Sequence, residues 1–247
     1  EKEIAKSAVF FPVAGACQGL SAVFTVFMLR RIFTADITGA IVMTVLAISN
    51  GGFHLDGVSD TFDAIAVKSS GDPAADREKR LSVMKDSTTG AIGVTALIFS
   101  ILMKYLLIKN LLLYSVSAVC YAFLFLMPVF SKWAMIAAME RGESAKKDGL
   151  GRIFMDNITI KDLVNSFLIT LAVAVSGAGL SRYLSGTETV FMLIPVFFAL
   201  IYAFVIIAVR VLRKMIGGLT GDTLGAIGEI SEILFLTTGL IWLRLSI

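Results

Sequence analysis

Asp56, Asp60 and Asp63 follow one another at i, i+4 and i+7, beginning two residues after His54, the only histidine of the chain. They lie in the run Gly51-Gly52-Phe53-His54-Leu55-Asp56-Gly57-Val58-Ser59-Asp60-Thr61-Phe62-Asp63. On a helix this spacing puts the three acids on one face. Acids crowded in this way repel unless a cation compensates them, and hard oxygen ligands favour Mg²⁺ or a similar divalent ion. Phe53, Leu55, Val58, Phe62 and Ile65 flank them, so this is not an ordinary solvated helix end. Asp56 and Asp60, with Asp63 helping, are the expected metal ligands. Gly51, Gly52 and Gly57 would let backbone and ligand approach closely. His54 leaves several roles open: it could accept a proton, orient a carboxylate, bind metal, or simply be a satisfied structural residue.

Two further constellations share this chemistry. Arg77 and Arg80, at i and i+3, could both reach a diphosphate. After them Lys85-Asp86-Ser87, with Gly90 and Gly93, stands at the start of an apolar segment. Backbone N–H groups and the positive end of a helix make a phosphate seat there, and Asp86 is a candidate fourth carboxylate. The G-x4-G-K-[ST] order of a nucleotide-binding P-loop is absent. Near the end, Gly217-Gly218-Leu219-Thr220-Gly221-Asp222-Thr223-Leu224-Gly225-Ala226 precedes Glu229 and Glu232. This glycine turn suits a phosphate or a second metal ion, or else a close helix–helix contact with Asp222 as a cap. Thr220 and Asp222 are its candidate site residues.

The elements that position these residues are membrane helices. The chain of 247 residues is 57% hydrophobic and 17% charged, against roughly 25% charged in an average soluble domain. Its mean hydropathy is +0.85. Seven apolar segments are expected near 8–29, 37–53, 91–108, 111–131, 163–184, 190–209 and 229–247, with long polar loops at 54–90, 132–162 and 210–228. The expected fold is one all-α polytopic domain over 1–247, with about seven transmembrane helices. Seven crossings put the N-terminus and the three long loops on one side, and that side collects 16 of the 22 basic residues. The positive-inside rule makes it cytoplasmic and the protein a multi-pass protein of the cell (inner) membrane. Charges gathered at one face argue against an ion channel. The net charge of +3, without a basic patch interleaved with aromatics, argues against nucleic acid. Cys17 and Cys120 fall in apolar runs and read as small core residues. The 132–162 loop is expected to offer an amphipathic face to lipid or a partner.

Together the motifs resemble the cobalamin synthase family, the adenosylcobinamide-GDP ribazoletransferases of vitamin B12 assembly. The carrying residues are His54-Leu55-Asp56-Gly57-Val58-Ser59-Asp60-Thr61-Phe62-Asp63, then Arg80-Leu81-Ser82-Val83-Met84-Lys85-Asp86-Ser87 with Gly90 and Gly93, then Gly218-Leu219-Thr220-Gly221-Asp222-Thr223-Leu224-Gly225-Ala226. Ala64 stands where the family usually has Gly. The family also begins with a further stretch before the first span, of which Glu1–Lys6 reads as the remnant.

The resemblance implies a Mg²⁺-dependent phosphotransfer in which α-ribazole or its 5′-phosphate displaces GMP from adenosylcobinamide-GDP. It further implies that Asp56, Asp60, Asp63 and Asp86 hold the metal. Arg77, Arg80, Lys85, Ser87, Thr220 and Asp222 would bind phosphate or substrate. His54, Asp63 or Asp86 would take the proton. The expected partners are these two substrates and the bilayer, with a homo-oligomer left open and no nucleic acid. Alternatives are another Mg²⁺-dependent intramembrane transferase of diphosphates (CDP-alcohol phosphotransferase-like or prenyltransferase-like) or a secondary transporter.

Overall fold

The computed structural model describes residues 2–114, 117–146 and 150–245. Among them the regular structure is helical throughout: α1 (Lys2–Ser7), α2 (Phe11–Leu29), α3 (Ala35–Ser49), α4 (Phe53–Ala66), α5 (Pro73–Val83), α6 (Ala91–Tyr114), α7 (Ser117–Arg141), α8 (Leu150–Asn157), α9 (Ile160–Ser185), α10 (Thr189–Ile216) and α11 (Gly221–Leu245). A 3-10 turn at Ala8–Phe10 joins α1 to α2.

Among the described residues, six stretches are long and apolar enough to cross a membrane: Ala5–Leu29, Ala91–Leu113, Ala118–Arg141, Ile160–Ser185, Thr189–Ile216 and Gly221–Leu245. A seventh arises only if α3 and α4, bent by 85° at their junction, are taken as one broken span. α3 alone has 15 residues, a rise of about 22 Å, short of the roughly 30 Å of a hydrocarbon core. The chain is thus an all-α multi-pass membrane protein, as its composition predicts. Outward-facing Phe24, Ile98, Phe99, Leu168, Leu180 and Ile207 are exposed over more than half their surface, as lipid-facing side chains are. α7 is the axis of the bundle, with 89% of its apolar window buried. Around it Phe123 and Phe130 of α7 meet Phe197 of α10 and Phe235 of α11, the last two stacked at 3.9 Å between ring centres.

The polar loops are shorter than their composition suggests. The 54–90 stretch contains α4 and α5; Asp72 caps α5 by accepting from Ala74 N–H at 2.9 Å, and Pro73 opens the helix. α7 runs on to Arg141, so Lys132 lies inside the bundle rather than in a loop. α10 continues to Ile216 and α11 begins at Gly221, eight residues before the expected start. Polar residues near these helix ends, such as Arg210, Arg213 and Lys214 on α10, mask their continuity in the sequence. Lys104, counted with the opposite face, is buried in the middle of α6. Lys147, counted with the basic side, and Glu1 lie outside the described residues. Cys120 is a buried core residue, but Cys17 is exposed on α2. α8 does present an amphipathic face, and uses it internally: Phe154 packs edge-on against Phe11 at 5.7 Å, and Met155 is buried.

The connection between α4 and α5 is tied down by Asp76. Its carboxylate accepts the Ser70 N–H and hydroxyl, both at 2.7 Å, and the Ser69 hydroxyl. Those bonds, the Ser69 hydroxyl foremost, hold the carboxyl down at about 2. Because the folded-state value is depressed, this contribution is present above the ordinary carboxylate range and is lost as pH falls through about 2. Asp76→Asn is therefore expected to speed amide exchange across residues 68–80 at neutral pH while leaving exchange in α7 and α10 unchanged.

Candidate active site

The acids of α4 face the start of α11. Gly57 makes this possible: a Cβ there would stand 2.3 Å from the Asp222 carbonyl oxygen, so only a glycine lets the two backbones touch. One turn away, a Cβ on Gly225 would lie 3.0 Å from His54 Cα. The two helices are thus in backbone contact along their ends. Asp60 consequently lies in the field of Asp56, Asp222 and Asp63, with Lys146 as a compensating cation. Asp56 is exposed, and Asp60, Asp63 and Asp222 are partly buried.

The end of α11 is built by local bonds. Thr220 and Thr223 form a reciprocal cap: the Thr220 N–H donates to Thr223 Oγ1 at 2.8 Å, and the Thr223 N–H donates to Thr220 Oγ1 at 3.2 Å. The Thr220 hydroxyl also donates to Asp222 Oδ2 at 3.2 Å. The loop after α7 is pinned to the glycine turn by two backbone bonds of 2.8 Å, Leu219 N–H to Glu143 O and Ala145 N–H to Leu219 O. This brings the Lys146 ammonium to 3.1 Å from Asp222 Oδ2. Lys146 carries no sequence signal of its own, because a backbone pairing between distant loops delivers it.

Asp63 has a specific structural task. Its Oδ2 accepts the Gly90 N–H and its Oδ1 the Gly93 N–H, both at 2.7 Å. The N-terminus of α6, expected to seat a phosphate, is therefore filled by a carboxylate of the chain itself, which suits its positive end equally well. The Lys85–Gly90 loop meets the α4 acids through the Gly90 N–H. Lys85, Asp86 and Ser87 are exposed, and Asp86 accepts the Thr88 N–H at 2.9 Å and hydroxyl at 2.8 Å, which hold its carboxyl below the usual range. Arg80 does not point at the acids: Nη1 donates to Met215 O at 2.9 Å and Nη2 to Val67 O at 3.3 Å, stapling α5 to the end of α10. Arg77 is exposed and runs past Gly217.

His54 is buried. Its Nε2 is 3.1 Å from Lys132 Nζ, and its Nδ1 lies 3.8 Å from Glu229 Oε1. Glu229 and Glu232 share the Lys104 ammonium at 2.5 and 2.6 Å. An ionisable residue in mid-span, such as Lys104, is the sequence signal that could have flagged this row.

Among the described residues no three Asp, Glu, His or Cys side chains converge tightly enough to hold a metal ion by themselves. The donor chemistry nevertheless fits Mg²⁺. Asp56, Asp60 and Asp222 offer hard oxygens with excess negative charge, and Mg²⁺ is commonly held by one or two carboxylates together with water and substrate phosphate.

The sequence model of the family described as cobalamin-5-phosphate synthase matches residues 1–240. The chain is 33% identical over 236 residues to an adenosylcobinamide-GDP ribazoletransferase of Thermodesulfovibrio yellowstonii, covering 96% of this chain and 86% of that one. It is 31% identical to proteins of the same name from Clostridium tetani, covering 94% and 84%, and Fusobacterium nucleatum, covering 96% and 88%. No solved structure is significantly similar. With the match spanning nearly the whole chain, and with all three motifs inside it, this protein belongs to the cobalamin-5-phosphate synthase family.

Proposed function

We propose that this chain joins α-ribazole, or its 5′-phosphate, to adenosylcobinamide-GDP with release of GMP, as its family relatives are named for doing. The observation that carries this reading is the junction of α4 and α11, where Asp56 and Asp60 face Asp222 beneath Lys146. In the transfer, the nucleophilic oxygen forms a bond to the cobinamide-linked phosphorus. The bond from that phosphorus to the bridging oxygen breaks, and GMP departs with that oxygen. Asp56, Asp60 and Asp222 would hold Mg²⁺, with Asp63 adding its charge from the end of α6. Bound there, the metal supplies charge neutralisation for the diphosphate and the leaving group.

The residues of the chain do the rest. Lys146 lends a further cation to the phosphate oxygens, and Arg77, exposed beside the glycine turn, is free to follow the nucleotide. A carboxylate of the cluster takes the proton of a hydroxyl nucleophile. His54 suits that role less, since its Nε2 is engaged by Lys132. The excess of basic residues on the site's side of the membrane supports a cytoplasmic orientation.

The test is direct. Purified protein in lipid, given adenosylcobinamide-GDP and α-ribazole, is expected to release GMP only when both substrates and Mg²⁺ are present. GMP release independent of ribazole, or unaffected by chelation, would contradict the proposal.

A further inference from the structure

The junction of α3 and α4 sets the direction of the helix that carries Asp56 and Asp60; backbone bonds close the turn locally, from Gly51 N–H to Ile48 O at 2.8 Å, Gly52 N–H to Ala47 O at 2.9 Å and Phe53 N–H to Asn50 O at 3.2 Å, and side chains tie it to the rest of the bundle. The break runs through Asn50, Gly51 and Gly52, with φ of +61° and +76° at the two glycines, and turns the chain by 85°. Glycines permit that turn without favouring one angle for it. α3 alone is too short to cross the bilayer, so a crossing at this point needs α4 beyond the turn.

One ammonium group spans it. Lys132 Nζ, on α7, donates to Asn50 Oδ1 at 3.0 Å on the α3 side and contacts His54 Nε2 at 3.1 Å on the α4 side. Gln18 of α2 donates to the same Asn50 oxygen at 2.6 Å. A protonated amine only donates, so Nε2 accepts and the imidazole proton sits on Nδ1, facing Glu229. Behind Glu229 stand Lys104 and Glu232, all three at most 3% exposed. Two carboxylates and two ammonium groups balance one another across three helices, α6, α7 and α11. Removing one partner of such a set leaves an uncompensated buried charge.

We propose that Lys132 is a positioning residue for the transfer reaction: by bonding both sides of the break it fixes the direction of α4, and hence the placement of Asp56 and Asp60 against Asp222. This rests on the reading of those acids as the site of the reaction. Lys132 touches no reacting atom; it acts through Asn50 and His54.

The experiment compares wild type with Lys132→Met, Lys132→Arg and Asn50→Ala in lipid. It reads kcat, KM for adenosylcobinamide-GDP, the Mg²⁺ concentration for half-maximal activity, and the melting temperature. Lys132→Met is expected to lower kcat by about 30-fold or more, since displacements near 1 Å can have effects of that size. The half-activating Mg²⁺ concentration should rise, KM for the corrinoid should hardly change, and Lys132→Arg should restore most of kcat. Asn50→Ala, which cuts only the α3 side, should shift kcat and Mg²⁺ dependence in the same direction by less. Wild-type kcat in Lys132→Met would overturn the proposal. So would a loss that tracks melting temperature alone with unchanged Mg²⁺ dependence. If Lys132→Met does not fold, wild-type kcat and Mg²⁺ dependence in Asn50→Ala overturns it instead. A wild-type protein that releases no GMP contradicts the assigned reaction, whereas an active wild type with indifferent variants contradicts only the clamp.

Discussion

Asp60→Asn is expected to lower turnover by about 10³-fold or more while leaving the metal-free protein at least as stable as wild type. Both halves follow from the same surroundings. Asp60 stands among Asp56, Asp63 and Asp222, so its negative charge is repelled by three neighbours and attracted by Lys146. An amide of the same shape relieves that repulsion, and it also removes a hard oxygen anion from the junction of α4 and α11 where a cation would be shared. Activity and stability should therefore move in opposite directions, the pattern of a site strained for its function. The measurements are GMP release with both substrates and Mg²⁺, and thermal unfolding in detergent with a chelator. Unaltered turnover would remove Asp60 from the metal set. Loss of turnover together with a lower melting temperature would make it a structural acid.

Gly57→Ala should have the next largest effect, for a steric reason. A methyl at this position would stand 2.3 Å from the Asp222 carbonyl oxygen and 3.0 Å from its carbon, both backbone atoms that cannot swing aside. α4 and α11 must then separate. Overpacking of this kind typically costs about 1–3 kcal/mol. Moving the α4 acids away from Asp222 by about 1 Å would reduce kcat by about 10²-fold. Gly179→Ala is the matching control, because a Cβ there meets only a Phe191 ring carbon at 3.9 Å and should be accommodated with activity intact. If Gly57→Ala turned over like wild type, backbone contact between these helices would not be what assembles the site.

Much of this was legible in the chain. The i, i+4, i+7 acids appear on one helix, the glycine turn appears as the opening of α11, and the two meet as expected of a single site. The resemblance carried by the three motifs named the family that the comparisons show. What local reading missed arises from tertiary delivery. Lys146 reaches Asp222 because Leu219 pairs with Glu143 and Ala145 across the bundle face, a link between loops more than seventy residues apart. Arg80 looked like a phosphate ligand because it is cationic and near a loop, yet two backbone carbonyls claim its guanidinium. The start of α6 was expected to seat a phosphate, whereas the Asp63 carboxylate fills it. Lys104 and Lys132 escape a rule that counts charges without depth, since both belong to the interior row with Glu229 and Glu232.

The central claim is that α4 and α11 make one metal-assisted transfer site, and a double-mutant cycle on Asp56 and Asp222 tests it most directly. Asp56→Asn, Asp222→Asn and the double variant are compared with wild type by kcat for GMP release at saturating substrates and Mg²⁺. Side chains that serve one cation act as a unit, so the double variant is predicted to fall no more than about threefold below the weaker single variant. A double variant whose loss equals the product of the two single losses would show that the acids act independently, and would contradict the single site.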